Sequence, residues 1–253
     1  MADTSRAMKK EKVWVKNFNT KPNFRNMINK ALGADFKYAD GCGYGETSQF
    51  WRDVTGKKSC VSKSDFVLDG KVGISFKSGK GRATSSNFSE SKAIFLSTIS
   101  SNQKYEEDVD LVRLVEQMFE LWAKPGIKIK TLPEVTTTSL KEGLCEHAEL
   151  SEYISVASEV SECLARLRKE YPEFMVDVVK ECLTGARKFE NRKQRATYYI
   201  RHSREDINVI EFAAHVDSPE FLQECLEYID QCKTAMKSSC GGSPTRSHWI
   251  RFM

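Results

Sequence analysis

The sequence predicts an α+β protein, with a small sheet set among helices and a mainly helical region after it. Three observations carry that prediction. Two apolar runs, Asp65-Phe66-Val67-Leu68 and Lys71 to Lys77, flank Asp69-Gly70, and Asp-Gly between such runs is a strong local signal for a β-hairpin. Segments with apolar residues at helical spacing lie on both sides of the hairpin. Near residue 133 the texture changes, and most of the remaining chain is helical in pattern.

Residues 1–11 are polar and charged and are expected to be disordered. Lys12-Val13-Trp14-Val15-Lys16 reads as a short strand. Phe24, Met27, Ile28 and Leu32 form one helical stripe, closed by Gly33. A glycine-rich loop then leads to a helix from Glu46 to Thr55, whose buried face is Phe50, Trp51 and Val54. After the hairpin come a helix over Asn87 to Thr98, a dense amphipathic helix over Tyr105 to Ala123, and Ile127 to Lys130 as a further strand. The second half contains helices over Leu150 to Lys169, Pro172 to Leu183 and Pro219 to Met236, and its tail, Arg246 to Phe252, reads as a docked strand. The expected organisation is a core over 12–132 and a mainly helical region over 133–253.

In the hairpin, Val72, Ile74 and Phe76 alternate with Gly73, Ser75 and Lys77, the period of a strand with one buried face. Ser75 and Lys77 therefore share the other face. A two-residue Asp69-Gly70 turn puts Asp65 on the wrong side of them. A three-residue loop, Asp69-Gly70-Lys71, or a bulge near Asp65 restores a common face, and an irregularity of that kind is expected.

Lys+Arg 39 against Asp+Glu 35 leaves a net charge of only +4, so any nucleic-acid surface has to come from local clustering. Two clusters stand out. Lys80 and Arg82 lie in a loop rich in glycine and hydroxyl groups just after Lys77, suited to phosphate contact. Arg187, Lys188, Arg192, Lys193, Arg195, Arg201 and Arg204 fall within eighteen residues with aromatics between them, a composition that suits phosphates and stacked bases. Such a run also describes a solvated face. The eight cysteines show no Cys-x-x-Cys pair and no zinc-finger spacing, and they read as reduced thiols. The first residues lack the apolar stretch of a signal peptide, and nothing approaches eighteen apolar residues, so the chain is expected to be intracellular and cytoplasmic, with no membrane partner.

A carboxylate on one strand of a hairpin with polar-x-Lys on the other, here Asp65 with Ser75-Phe76-Lys77, resembles the active site of the PD-(D/E)xK nuclease superfamily, the fold of many type II restriction endonucleases. The resemblance covers about half the chain. It implies a restriction-endonuclease-like core, a small mixed sheet flanked by helices, and a C-terminal region that binds and selects DNA. It implies double-stranded DNA as the partner, with RNA left open and a homodimer compatible with cutting two strands. The implied activity is Mg²⁺- or Mn²⁺-dependent phosphodiester hydrolysis, with Asp65 binding metal and Lys77 orienting the attacking water.

The sequence departs from the family pattern at Ser75, which stands where the family has its second acid. A neutral hydroxyl is a weak ligand for a hard cation. Glu90, in the first turn of the helix after the hairpin, and Glu46 are the candidates to replace that acid, although Glu46 also reads as a complement to a helix dipole. A protein that keeps the fold and binds nucleic acid without cleaving it is the alternative. A helical module for a protein partner is a third.

Overall fold

The computed structural model describes residues 2–79, 84–86, 88–123, 148–229, 233–237 and 247–252. The fold is mixed α and β. It is built on a five-stranded sheet of order β1 (Ala39–Gly41), β4 (Phe66–Leu68), β5 (Val72–Ser78), β7 (Tyr198–His202), β8 (Ile210–His215). β5 pairs in parallel with β7, and the other neighbours are antiparallel. β2 (Tyr44–Glu46) and β3 (Ser59–Val61) form a separate hairpin, and β6 (Thr84–Ser86), β10 (Ser247–Phe252) and β9 (Lys233–Lys237) form a three-stranded sheet.

The hairpin at Asp69-Gly70 has the expected irregularity. Phe66 pairs with Ile74 and Leu68 with Val72, so Asp69, Gly70 and Lys71 form a three-residue loop. Asp69 and Gly70 both take left-handed backbone, φ 46° and 66°, conformations that Asp and Gly tolerate best. The Asp69 carboxylate accepts the amides of Lys37 and Tyr38 at 3.0 and 2.9 Å, which ties the loop to the segment entering β1.

Alternation along β5 and β7 sends their side chains into two cores. Phe66, Leu68, Ile74, Phe76 and Ile200 pack against α1 (Ala2–Thr20) and α2 (Pro22–Leu32). Tyr199 and Ala214, on the opposite face, join a larger core with α3 (Gln49–Thr55), α4 (Phe88–Ile99), α6 (Val109–Ala123), α7 (Ala148–Glu170), α8 (Pro172–Thr184) and α9 (Pro219–Ile229). A short helix, α5 (Gln103–Glu106), precedes α6. Among the described residues no helix is long and apolar enough to cross a membrane.

The first twenty residues differ from expectation. Residues 2–20 form α1, where disorder and a strand were expected. The five-residue Lys12 to Lys16 run is too short for its strand-like composition to decide, while Glu11, Trp14, Val15 and Phe18 fall at i, i+3, i+4 and i+7 on one helical face. Phe18 is fully buried and the Trp14 ring meets Phe76 edge-on at 4.9 Å, whereas Val13 is 52% exposed.

The second half also contributes strands. Tyr198–His202 and Ile210–His215, within the region expected to be mainly helical, complete the central sheet beside β5. The helix expected to reach Met236 ends at Ile229, and Met236 lies on β9. The tail strand is present as β10. Ile127 to Lys130 and the boundary near 133 lie outside the described residues.

Candidate active site at one end of the sheet

β5 and β7 run in parallel and end side by side, with Lys77 opposite Arg201 and Ser75 opposite Tyr199. The ends of parallel strands are where open α/β sheets present ligand-binding groups. The Asp65 amide donates to Ile74 O at 2.7 Å, and its side chain reaches across to β5. There Oδ2 accepts from the Phe76 amide at 2.6 Å and from Lys77 Nζ at 3.0 Å. Both bonds use one carboxylate oxygen. Asp65 and Lys77, 12 residues apart, thus meet at the mouth of the hairpin, with side chains 16% and 33% exposed.

Ser75 lies on the same face and is fully buried, and its Oγ has no hydrogen-bond partner among the described residues. An orphaned buried hydroxyl is costly. Gly73, two residues earlier, leaves room for the chain that covers this face: a Cβ there would lie 2.1 Å from Arg195 O and 2.2 Å from Ser64 Oγ.

The second carboxylate at this end is Glu11, on α1. It is half-buried, and its pKa is raised, first by burial and then by the negative charge of Asp65, with Lys77 pulling the other way. The same two carboxylates, after burial, help push the Cys42 thiol up to about 12, so that cysteine is an inert neighbour at neutral pH. Glu11 lies in a polar, charged stretch whose composition predicts disorder. The signal that could have found it is its place on the Trp14, Val15, Phe18 stripe.

Glu90 and Glu46 do not join Asp65. Glu90 Oε1 lies 2.5 Å from Lys188 Nζ. Burial opposes its ionisation, but Lys63 and Lys188 outweigh it and hold the carboxyl down at about 2. Glu46 is on β2, not on a helix. Its side chain is 79% exposed, 3.7 Å from Arg52 Nη2, too solvated to complete a buried metal site.

The basic residues divide. Arg201 is buried, with Nη2 3.4 Å from Glu224 and its guanidinium 5.8 Å from the Phe212 ring centroid, and its Nε has no partner among the described residues. It lines a cavity of 620 Å³ with Gly79, Ser203, Arg204, Glu205 and Glu211, beside the strand end that carries Lys77. Lys188 is buried against Glu90, Arg187 pairs with buried Glu181, and Arg195 donates to Phe189 O and Glu190 O. These three hold loops together. Arg192, Lys193 and Arg204 are exposed. Lys80 and Arg82 lie outside the described residues.

A half-buried Glu11 whose ionisation is opposed by burial and by the charge of Asp65, beside one lysine and an orphaned hydroxyl, makes a place where added positive charge is stabilising. The set is small. Among the described residues no group of three or more His, Cys, Asp or Glu is arranged to hold a metal. Comparison of the chain with protein-family models, curated proteins and solved structures finds no match.

Proposed function

We propose that the protein is a metal-dependent endonuclease of the PD-(D/E)xK kind, acting on double-stranded DNA in a site-specific manner of the restriction or homing type, or as a phage or repair nuclease. The observation that carries this reading is the Asp65–Lys77 pair at one end of the sheet, with half-buried Glu11 of α1 near enough to feel the charge of both. In this reading Glu11 supplies the acid that Ser75 does not.

Glu11 and Asp65 would hold the cation, which supplies Lewis-acid polarisation and charge neutralisation at the scissile phosphate. Asp65, anchored through Oδ2 by the Phe76 amide, keeps its other oxygen for a ligand. Lys77 is held by the same carboxylate, so its ammonium is oriented before substrate arrives and can donate to the attacking water or to a phosphate oxygen. Arg201, one strand over, lines the cavity at the strand ends, where a backbone phosphate is neutralised. Exposed Arg192, Lys193 and Arg204 add salt-sensitive contact.

The test is incubation of supercoiled plasmid with wild type, Asp65→Asn and Lys77→Ala, in Mg²⁺, Mn²⁺ or EDTA. Wild type cuts only with metal, and each variant loses at least about a hundredfold in rate while still binding DNA. Cleavage in EDTA, or cleavage undiminished in both variants, refutes the proposal. Ser75 in place of an acid favours a second reading, a non-catalytic DNA-binding protein. Salt-sensitive binding with no cut under any metal selects it.

A further inference from the structure

We infer that a second pocket, between β3, the segment entering Asp65, α4 and the loop after α8, binds the phosphate of a nucleoside monophosphate, either free or at the end of a strand. Its cavity of 470 Å³ is lined by Lys57, Lys63, Lys188, Glu90, Ser62 and Tyr44, among others, and a space of that size suits a mononucleotide.

The charge in it does not balance. Among the described residues that line it, three lysines stand with one carboxylate, Glu90, which Lys188 engages; buried Glu181, which also acts on Lys63, is paired with Arg187. Among the described residues, neither Lys57 nor Lys63 forms an ion pair. Lys188, only 5% exposed at its side chain, has its pKa lowered by burial and next by the charge of Lys63, against the pull of Glu90. Against burial, Glu90 is held low by Lys63 and Lys188, while Lys63 is raised by Cys182 first and then by Glu90 and Glu181. A phosphomonoester dianion matches the surplus of two charges, and charge-assisted bonds to phosphate are among the strongest available.

The fold builds the pocket rather than leaving lysines loose on a surface. Ser48, the N-cap of α3, donates its hydroxyl to Arg187 O and its amide to Lys188 O, both at 2.8 Å, which fixes the loop that carries Lys188. The Lys188 ammonium also lies 5.4 Å from the centroids of Trp51 and Phe189. Gly185, at φ 61°, gives way to the stem of Lys63, whose Cγ would stand 2.7 Å from a Cβ there. Ser62 Oγ is buried with no hydrogen-bond partner among the described residues, and a phosphate oxygen in the pocket supplies one. Tyr44 and Val61 pair across β2 and β3 and are 60% and 39% exposed, a small apolar shelf at the rim on which a base can stack.

The pocket stands on its own geometry, and only the strand-end source rests on the nuclease reading. The test uses the full chain in EDTA, where nothing depends on metal. Calorimetric titration with inorganic phosphate and AMP is set beside anisotropy titration with one oligonucleotide bearing a 5′-phosphate, a 3′-phosphate or hydroxyls at both ends. Phosphate-bearing probes are expected to bind about tenfold or more tighter than their unphosphorylated counterparts. Lys63→Gln should abolish the difference. Exposed Lys57→Gln, which carries little risk to folding, should reduce it severalfold. AMP binding as tightly as the phosphorylated strand identifies a free nucleotide as ligand, and a strand bound much more tightly than AMP identifies a strand end. Equal binding of phosphorylated and unphosphorylated probes, with no heat from AMP, overturns the inference. Phosphate discrimination without plasmid cleavage removes the nuclease reading alone, and cleavage without discrimination removes this one alone.

Discussion

Glu11→Gln separates a metal ligand from a structural carboxylate, because the two roles predict opposite effects on stability. Burial and Asp65 raise the pKa of Glu11 in the folded chain. A carboxyl raised on folding contributes stability below its unfolded pKa, and that contribution is lost as pH rises through the folded value. At pH 7.5 Glu11 is therefore a net burden on the metal-free protein, and the neutral amide should melt at the same temperature as wild type or higher. Divalent cation reverses the order. At a hundred times its Kd, Mg²⁺ adds about 2.7 kcal/mol to the protein that binds it, about 5–11 °C for a chain of this size. A variant with tenfold weaker affinity gains only about 1.4 kcal/mol at the same concentration, about 3–6 °C. Differential scanning calorimetry with EDTA and with Mg²⁺, beside a plasmid-cleavage assay, reads both halves. A metal-free variant melting several degrees below wild type, with an undiminished Mg²⁺ shift, refutes the assignment of Glu11 to the cation site.

Three further predictions concern the scaffold. Lys188→Met leaves Glu90 without its closest partner and should cost about 3 kcal/mol in urea denaturation at pH 7, at the low end for a broken buried pair because Lys63 still faces the carboxylate. Wild type itself should lose stability as pH falls from 4.5 toward 2, the window between the ordinary and the folded pKa of Glu90, and a flat profile there excludes the pair as a contributor. Gly73→Ala drives a methyl into the Arg195 carbonyl, so the backbone has to shift, at about 2 kcal/mol, and cleavage should fall with it as Asp65 and Lys77 move apart. An alanine variant with wild-type melting temperature and activity contradicts that close approach.

The local signals in the sequence were reliable where chain neighbours decide the structure. Asp69-Gly70 marked the hairpin, and the face conflict between Asp65 and Lys77 required an irregular connection, which the three-residue loop supplies. Gly33 and Gly56 end α2 and α3 in left-handed backbone, as expected of C-capping glycines. The failures came where distant segments decide. Arg201 and His202 look like surface residues in a basic run, yet their strand is the fourth of five and both side chains are buried. Charge concealed the strand because Glu224, which pairs with Arg201, lies on a later helix. Glu90 sits in the first turn of its helix as expected, but its direction is set by Lys188, 98 residues away. No spacing rule reports that. Glu11 was obscured differently, since its polar neighbours outweighed a helical stripe of only four residues.

The parallel pairing of β5 with β7 has a consequence for how the chain is made. Ser78 ends one strand and Tyr198 begins the next, so about 120 residues must emerge from the ribosome before the two can meet. At synthesis rates of about 5–20 residues per second that interval is about 6–24 s. Throughout it the nascent hairpin exposes the unpaired edge of β5, a template for pairing with other chains, guarded on that strand by the charge of Lys77. A truncation before Tyr198 makes the interval permanent. Such fragments should collect in aggregates or on chaperones, and the end of the sheet where Lys77 pairs with Arg201 comes into being only once the chain has been made through His202.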